Sequence, residues 1–166
     1  MRSGYTYRLE SETQVAATAE TVFTFLSDPR SLPLLDPPWL KVQLLSTTSG
    51  QFRAGSEMEY IFRWSEIPVY LRMVVTEVEP PLKLVWSQAQ GPWQSFHHSM
   101  TLRSVGDGTL ITERFQFETA PDLFGSLLHR WVIRKQFREV IDFRKQALIN
   151  RLSRAVREQE LDRVQR

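Results

Sequence analysis

The sequence predicts an α+β domain: a curved antiparallel sheet of about seven strands, two small helices after the first strand, and a long C-terminal helix (β-α-α-β6-α). Three observations predict it. Between residues 56 and 117, apolar and polar residues alternate in one stretch after another. Turn chemistry separates these stretches, at Ser65-Glu66, Pro80-Pro81, Gly91-Pro92 and Gly106-Asp107-Gly108. From about Pro121 to Leu152 the apolar residues recur instead at helical spacing.

The elements follow in order. Tyr5, Tyr7, Leu9 and Val15 mark an edge strand over residues 5–15. Thr18 can cap the next helix, with Glu20 in its first turn and Val22, Phe23 and Leu26 on its apolar face. Asp28-Pro29 stops it, and a second short helix runs from about Pro29 to Leu35, ending before Pro37-Pro38. Residues 39–47 form a strand, and Gly50 and Gly55 mark a loop. In 56–64, Met58, Tyr60, Phe62 and Trp64 share a face. A tight turn then places Val69, Leu71, Met73 and Val75 on that face and Arg72 opposite Glu59 on the other. Leu82, Leu84, Trp86 and Gln88 continue the inner face, then Phe96, His98, Met100 and Leu102, and finally Ile111, Glu113, Phe115 and Phe117.

The last helix opens on Pro121 and Asp122, residues suited to a first turn. At about 100° per residue, Leu123, Ile133, Phe137, Val140, Ile141 and Leu148 form its stripe, with Arg130 and Arg144 on the stripe and Arg134 at its edge. Residues 1–152 read as a single domain and 153–166 as a polar helical extension or frayed tail.

The 166 residues suit one domain, and 42% hydrophobic residues can fill one core. A net charge of +2 does not imply nucleic acid, and none is expected as a partner. The basic residues do concentrate late, from Arg130 to Arg166, with Glu139, Asp142, Glu158, Glu160 and Asp162 interleaved. That pattern fits a solvated helix face, or a surface that docks on a partner or an anionic membrane. There is no cysteine, which excludes disulfides and thiol catalysis. Neither a signal peptide nor an apolar window of roughly 20 residues is present, so a soluble cytoplasmic protein is expected. Monomer and homodimer are both open.

Local motifs carry a family resemblance. Ala17-Thr18-Ala19-Glu20-Thr21-Val22-Phe23 resembles the Ala-Pro-x-Glu-x-Val-Phe helix entry of the START-like (SRPBCC) superfamily, with Thr18 in place of the usual proline. Ser27-Asp28-Pro29-Arg30 and Pro37-Pro38-Trp39 resemble its helix-to-strand segment, and Glu77-Val78-Glu79-Pro80-Pro81 its strand-ending Glu-x-x-Pro. Gly91-Pro92-Trp93 with Phe96-His97-His98 resembles the strand that often carries Trp-x-His. Val132-Ile133-Arg134-Lys135 and Asp142-Phe143-Arg144 look like the terminal helix of bacterial polyketide cyclase/dehydrase-like members. The resemblance covers roughly Tyr5 to Leu152 and implies a helix-grip fold with an apolar cavity between sheet and helix. It does not imply a reaction, because the superfamily holds carriers, receptors and enzymes.

Strand pairing read from the alternation puts Glu77, Leu84, His98 and Phe115 roughly in one row across the inner face, with Glu113 diagonal to His98. Ionisable groups on an apolar face need a reason. Three remain open. They form a structural network with Arg144 or Arg134 arriving from the helix, or anchor an apolar ligand, or perform acid–base catalysis through His98 and Glu113. The candidate ligand-binding residues are Tyr60, Phe62, Trp64, Leu71, Met73, Trp86, Phe96, His98, Met100, Glu113, Phe115, Phe137 and Ile141. The expected partner is a small hydrophobic molecule: a polyketide, quinone, isoprenoid or lipid-like compound. The alternative is a cofactor-independent aromatase/cyclase or dehydratase. The helix and the Gly50–Gly55 loop would gate entry. No cofactor and no metal are expected. His97 and His98 point to opposite faces of a strand, His129 stands alone, and no phosphate loop or nucleophile elbow is present.

Overall fold

Period-two burial organises the first two-thirds of the chain. The computed structural model describes residues 5–119 and 127–164. Seven antiparallel strands form one sheet: β1 (Tyr5–Val15), β2 (Gln43–Thr47), β3 (Glu57–Trp64), β4 (Ile67–Glu79), β5 (Lys83–Gln90), β6 (Ser95–Val105) and β7 (Gly108–Thr119). Helix α1 (Ala19–Leu26) follows β1, and helix α2 (Leu127–Val164) crosses the inner face. The order across the sheet is β1-β7-β6-β5-β4-β3-β2, so β1 and β2 are the edges and β2 to β7 form a meander.

Thr18 caps α1, its hydroxyl accepting from the Thr21 amide. Beyond α1 the expected second helix is two 3₁₀ turns, Leu32–Leu35 and Pro38–Leu40. Pro33, Pro37 and Pro38 remove donors that a continuous α-helix would need there. Trp39 and Leu40 belong to the second turn and Lys41 sits in the left-handed region at φ 46°, so β2 starts at Gln43 rather than near residue 39.

The β3–β4 hairpin turns on Ser65 and Glu66, both at positive φ. It sets the expected register, with Met58 opposite Met73 and Glu59 opposite Arg72. The ion pair of Arg72 runs diagonally to Glu57, while Glu59 accepts from Tyr70 and Ser46. Between β4 and β5 the register shifts twice, at Arg72/Met73 and at Val75/Glu77. The second shift overturns one expectation. An extra residue there reverses the alternation, so Val78 pairs with Leu84 and Glu77 turns outward to a half-exposed ion pair with Lys83 at 2.8 Å. Leu82, expected on the inner face, lies before β5 and is exposed. The β5–β6 pairing sets Trp86, not Leu84, opposite His98. The β6–β7 pairing is as read from the alternation, with His98 opposite Phe115.

Helix α2 buries Ile133, Phe137, Ile141, Arg144, Leu148 and Leu152, successive positions of one stripe. It continues without a break past Leu152, itself fully buried, to Val164. Its expected start at Pro121–Leu123 lies outside the described residues. Two apolar clusters hold it. One joins Leu148 and Leu152 to Val22, Leu26, Leu35 and the β4–β6 core. The other joins Ile133 and Phe137 to Tyr7 and Phe117.

Candidate functional site

Between those two clusters the inner face and α2 do not close on each other. A cavity of ≈ 150 Å³ remains, about the size of an apolar hole that admits benzene. Eight aromatic side chains line it: Tyr60, Phe62 and Trp64 from β3, Trp86 from β5, Trp93 from the β5–β6 turn, Phe96 from β6, Phe115 from β7, and Phe137 from α2. They share it with Leu71, Met73 and Met58. Val140, Ile141 and Arg144 close it from α2, and Leu32, Asp36, Leu40 and Val42 from the 3₁₀ segment. The cluster is continuous: Trp93 lies edge-on to Phe62, Phe96 and Phe137, and Phe117 stacks on Phe137 at 4.4 Å.

One end of the cavity is polar. Arg144 reaches in from α2 and spans two carboxylates. Its Nε and Nη2 donate to Oε2 and Oε1 of Glu113, both at 3.2 Å, and its Nη1 donates to Oδ1 of Asp36 at 2.9 Å. Fork-to-fork geometry of this kind suits guanidinium and carboxylate. Its Cζ also lies 5.9 Å above the Phe115 ring. Beside it, His98 stacks on Phe115 at 4.0 Å and meets Trp86 edge-on at 4.6 Å. His98 Nε2 stands 3.8 Å from Glu113 Oε2, too far for a hydrogen bond, and has no hydrogen-bond partner among the described residues. Tyr60 donates its hydroxyl to the Pro29 carbonyl at 3.0 Å.

Burial and charge set the protonation states. Burial alone would raise Glu113, but the positive charge of Arg144 and the neighbouring His98 outweigh it and hold the carboxyl down at about 2. Burial is the largest influence on His98 and keeps it below its ordinary value, hence neutral. Asp36 is pushed up by burial, with Arg144 opposing. The Tyr60 phenol is pushed up by burial and by the Asp36 charge.

The structure brings most of the sequence-derived candidates into one place. Tyr60, Phe62, Trp64, Leu71, Met73, Trp86, Phe96, His98, Phe115, Phe137 and Ile141 line the cavity. Met100 does not, being packed in the core opposite Glu113. Glu113 sits beneath Arg144 rather than on the wall. Glu77 is remote from the polar end, and Arg134 covers the Tyr7 ring at the rim. The Gly50–Gly55 loop contributes no lining residue; Phe52 pins it into the core against Trp86. Asp36 escaped sequence reasoning because its 3₁₀ segment has no period to read. Its only signal was a carboxylate immediately before Pro37-Pro38. Among the described residues no group of His, Asp and Glu is placed to hold a metal ion.

A family model described as polyketide cyclase / dehydrase and lipid transport matches residues 6–163. The chain belongs to this family. Members of its wider helix-grip class appear among the solved structures it resembles. The ZhuI aromatase/cyclase from Streptomyces sp. R1128 shares 16% identity over 92% of this chain and 96% of its own, with a TM-score of 0.73. TTHA0849 from Thermus thermophilus shares 18% over 90% and 99%, TM-score 0.69. A norcoclaurine synthase point mutant from Thalictrum flavum, in complex with a transition-state analogue, shares 17% over 91% and 99%, TM-score 0.63. At these identities the likeness concerns the fold. No curated protein sequence matches the chain. No helix among the described residues is long and apolar enough to cross a membrane.

Proposed function

We propose that this protein binds a small hydrophobic molecule in the cavity between sheet and α2, with one polar group of the ligand directed at the His98 end. The observation that carries the reading is the His98 ring nitrogen, buried and without a partner on an otherwise aromatic wall. A buried polar atom left unpaired costs about 1–3 kcal/mol, and a ligand atom can supply the missing bond. The family description, which includes lipid transport, supports a carrier. The cavity volume favours a one-ring body; pockets for larger ligands run to about 300 Å³ or more, so a polyketide, quinone, isoprenoid or lipid chain requires α2 or the 3₁₀ segment to move.

Tryptophan fluorescence tests this, because Trp64, Trp86 and Trp93 line the cavity. Titration with one-ring aromatics should shift the emission of the native protein. Leu71→Trp, which fills the space, should abolish the shift while the fold survives. An unchanged response in that variant, or none in the native protein, would sink the reading.

A second reading, a cofactor-independent aromatase/cyclase or dehydratase, has one observation in its favour. His98 is neutral and so able to accept a proton, and Asp36, on the cavity wall with a raised pKa, is able to donate one. In that case Asp36, not Glu113, is the acid, because Arg144 keeps Glu113 ionised. His98→Ala would then abolish turnover, whereas in a carrier it would change affinity only modestly.

A further inference from the structure

We infer that the cavity selects a small aromatic ammonium, a one-ring body bearing a protonated amine that seats against Asp36 and His98. This rests on the binding reading above and narrows its ligand class. Three features of the polar end carry it.

The first is charge. Glu113 and Asp36 share a single buried cation, Arg144, and burial raises Asp36 against its pull. His98, also buried, is neutral. Ionised, Asp36 leaves this buried end one positive charge short, and a ligand cation beside it can take the place of the proton that burial favours. An anionic ligand would worsen the imbalance. A neutral one would leave it.

The second is the use of hydrogen-bond donors. Three of the five N–H groups of Arg144 already serve carboxylates, and the Tyr60 hydroxyl serves Pro29. Acceptors remain. Asp36 takes its bond from Arg144 through Oδ1, and His98, only 3% exposed, holds an unpaired Nε2. An entering ammonium brings three N–H donors, enough for Asp36 and for Nε2 in the tautomer that leaves it bare.

The third is the wall. Tyr60, Trp64, Trp86, Trp93, Phe115 and Phe137 line the same space. Ring faces attract cations, most strongly where water is excluded, and Arg144 over Phe115 already uses one such face. Aromatic walls with a carboxylate at one end therefore favour a cation with an aromatic body over a neutral molecule of equal shape.

The test compares benzylamine with benzyl alcohol, near-isosteres that differ in charge, by tryptophan fluorescence and calorimetry on the full chain near neutral pH. Benzylamine should bind about tenfold more tightly or better. Asp36→Asn keeps the side-chain shape and an acceptor oxygen for Arg144, and should bring the ratio of the two affinities to about one. A ratio of one in the native protein overturns the inference without recourse to any variant, and a preference that persists in Asp36→Asn overturns the role of that carboxylate. If benzyl alcohol binds and benzylamine does not, the inference falls and the binding reading stands. If neither binds, both fall.

Discussion

Replacing Arg144 by Met should destabilise the fold at neutral pH and reverse part of its response to acid. Arg144 is 6% exposed and makes three bonds to two carboxylates, one of which, Glu113, is 3% exposed. Methionine keeps the apolar stem but leaves Glu113 buried without its cation. Removing one partner of a buried pair in this way costs about 3–5 kcal/mol. For a chain of this size that corresponds to a fall in melting temperature of about 6–20 °C. The pH dependence follows from the groups left behind. In the native protein Glu113 is held at about 2 against an ordinary 4.5, so its pairing stabilises the fold above that ordinary value and is lost as pH falls through about 2. The contribution is at most about 3 kcal/mol. His98, depressed below 6.5 by burial, adds acid lability of the same sign, because the unfolded chain takes up the proton first. Asp36 is raised and offsets part of this. Without Arg144, burial dominates Glu113 and lifts its pKa, and His98 loses a repelling charge. Both groups then bind protons more readily in the folded state, so the stability gap between variant and native protein should narrow from about pH 7 to about pH 4. Urea unfolding followed by far-ultraviolet circular dichroism measures the gap. A gap below about 1 kcal/mol at neutral pH, or one that fails to narrow in acid, refutes the argument.

Two further outcomes follow from the fold. A Cβ added at Gly108 would lie 2.3 Å from the Val15 carbonyl oxygen of the neighbouring edge strand, so Gly108→Ala should lower stability by about 1–3 kcal/mol in the same unfolding assay and loosen the β1–β7 pairing. Glu77→Gln should leave the melting temperature unchanged, because the Lys83 pair is open to solvent; a clear fall would place Glu77 back on the inner face.

The sheet was legible because alternation is a strong signal wherever a strand has one covered face. Met58, Tyr60, Met73, His98, Met100, Ile111, Glu113 and Phe117 all lie on the inner face that their numbering implied. A tight two-residue turn carried the register from β3 to β4, and the Gly106–Gly108 turn carried it from β6 to β7. The reading failed where a residue was added. Nothing in Val75-Thr76-Glu77 signals a bulge, yet one extra residue sends Glu77 to the solvent side, and the β5–β6 turn sets Trp86 rather than Leu84 opposite His98. It failed also in the 3₁₀ segment, where Asp36 occupies a position that no period defines. The long helix stood between these cases. Its stripe was legible, and Arg144 stood out as a charge on it, but its two carboxylate partners come from β7 and from the 3₁₀ segment. Those distances in sequence are closed only by the fold.

The two apolar clusters explain how the helix tolerates empty space beneath it. Ile133 and Phe137 pack in one cluster, and Leu148 and Leu152 in the other. Val140, Ile141 and Arg144, midway between, face the cavity together with Phe137. Unfilled apolar volume destabilises a core by roughly 24 cal/mol per Å³, which would press the helix onto the sheet if nothing resisted. The flanking clusters resist at both ends, and the bonds from Arg144 to Glu113 and Asp36 fix the height of the middle. The work is thus divided along one stripe of side chains. Residues at its ends hold the helix to the sheet, and residues at its centre face a space that the fold does not need filled. Conserving the ends while varying the centre would change what the cavity accepts without endangering the structure that forms it.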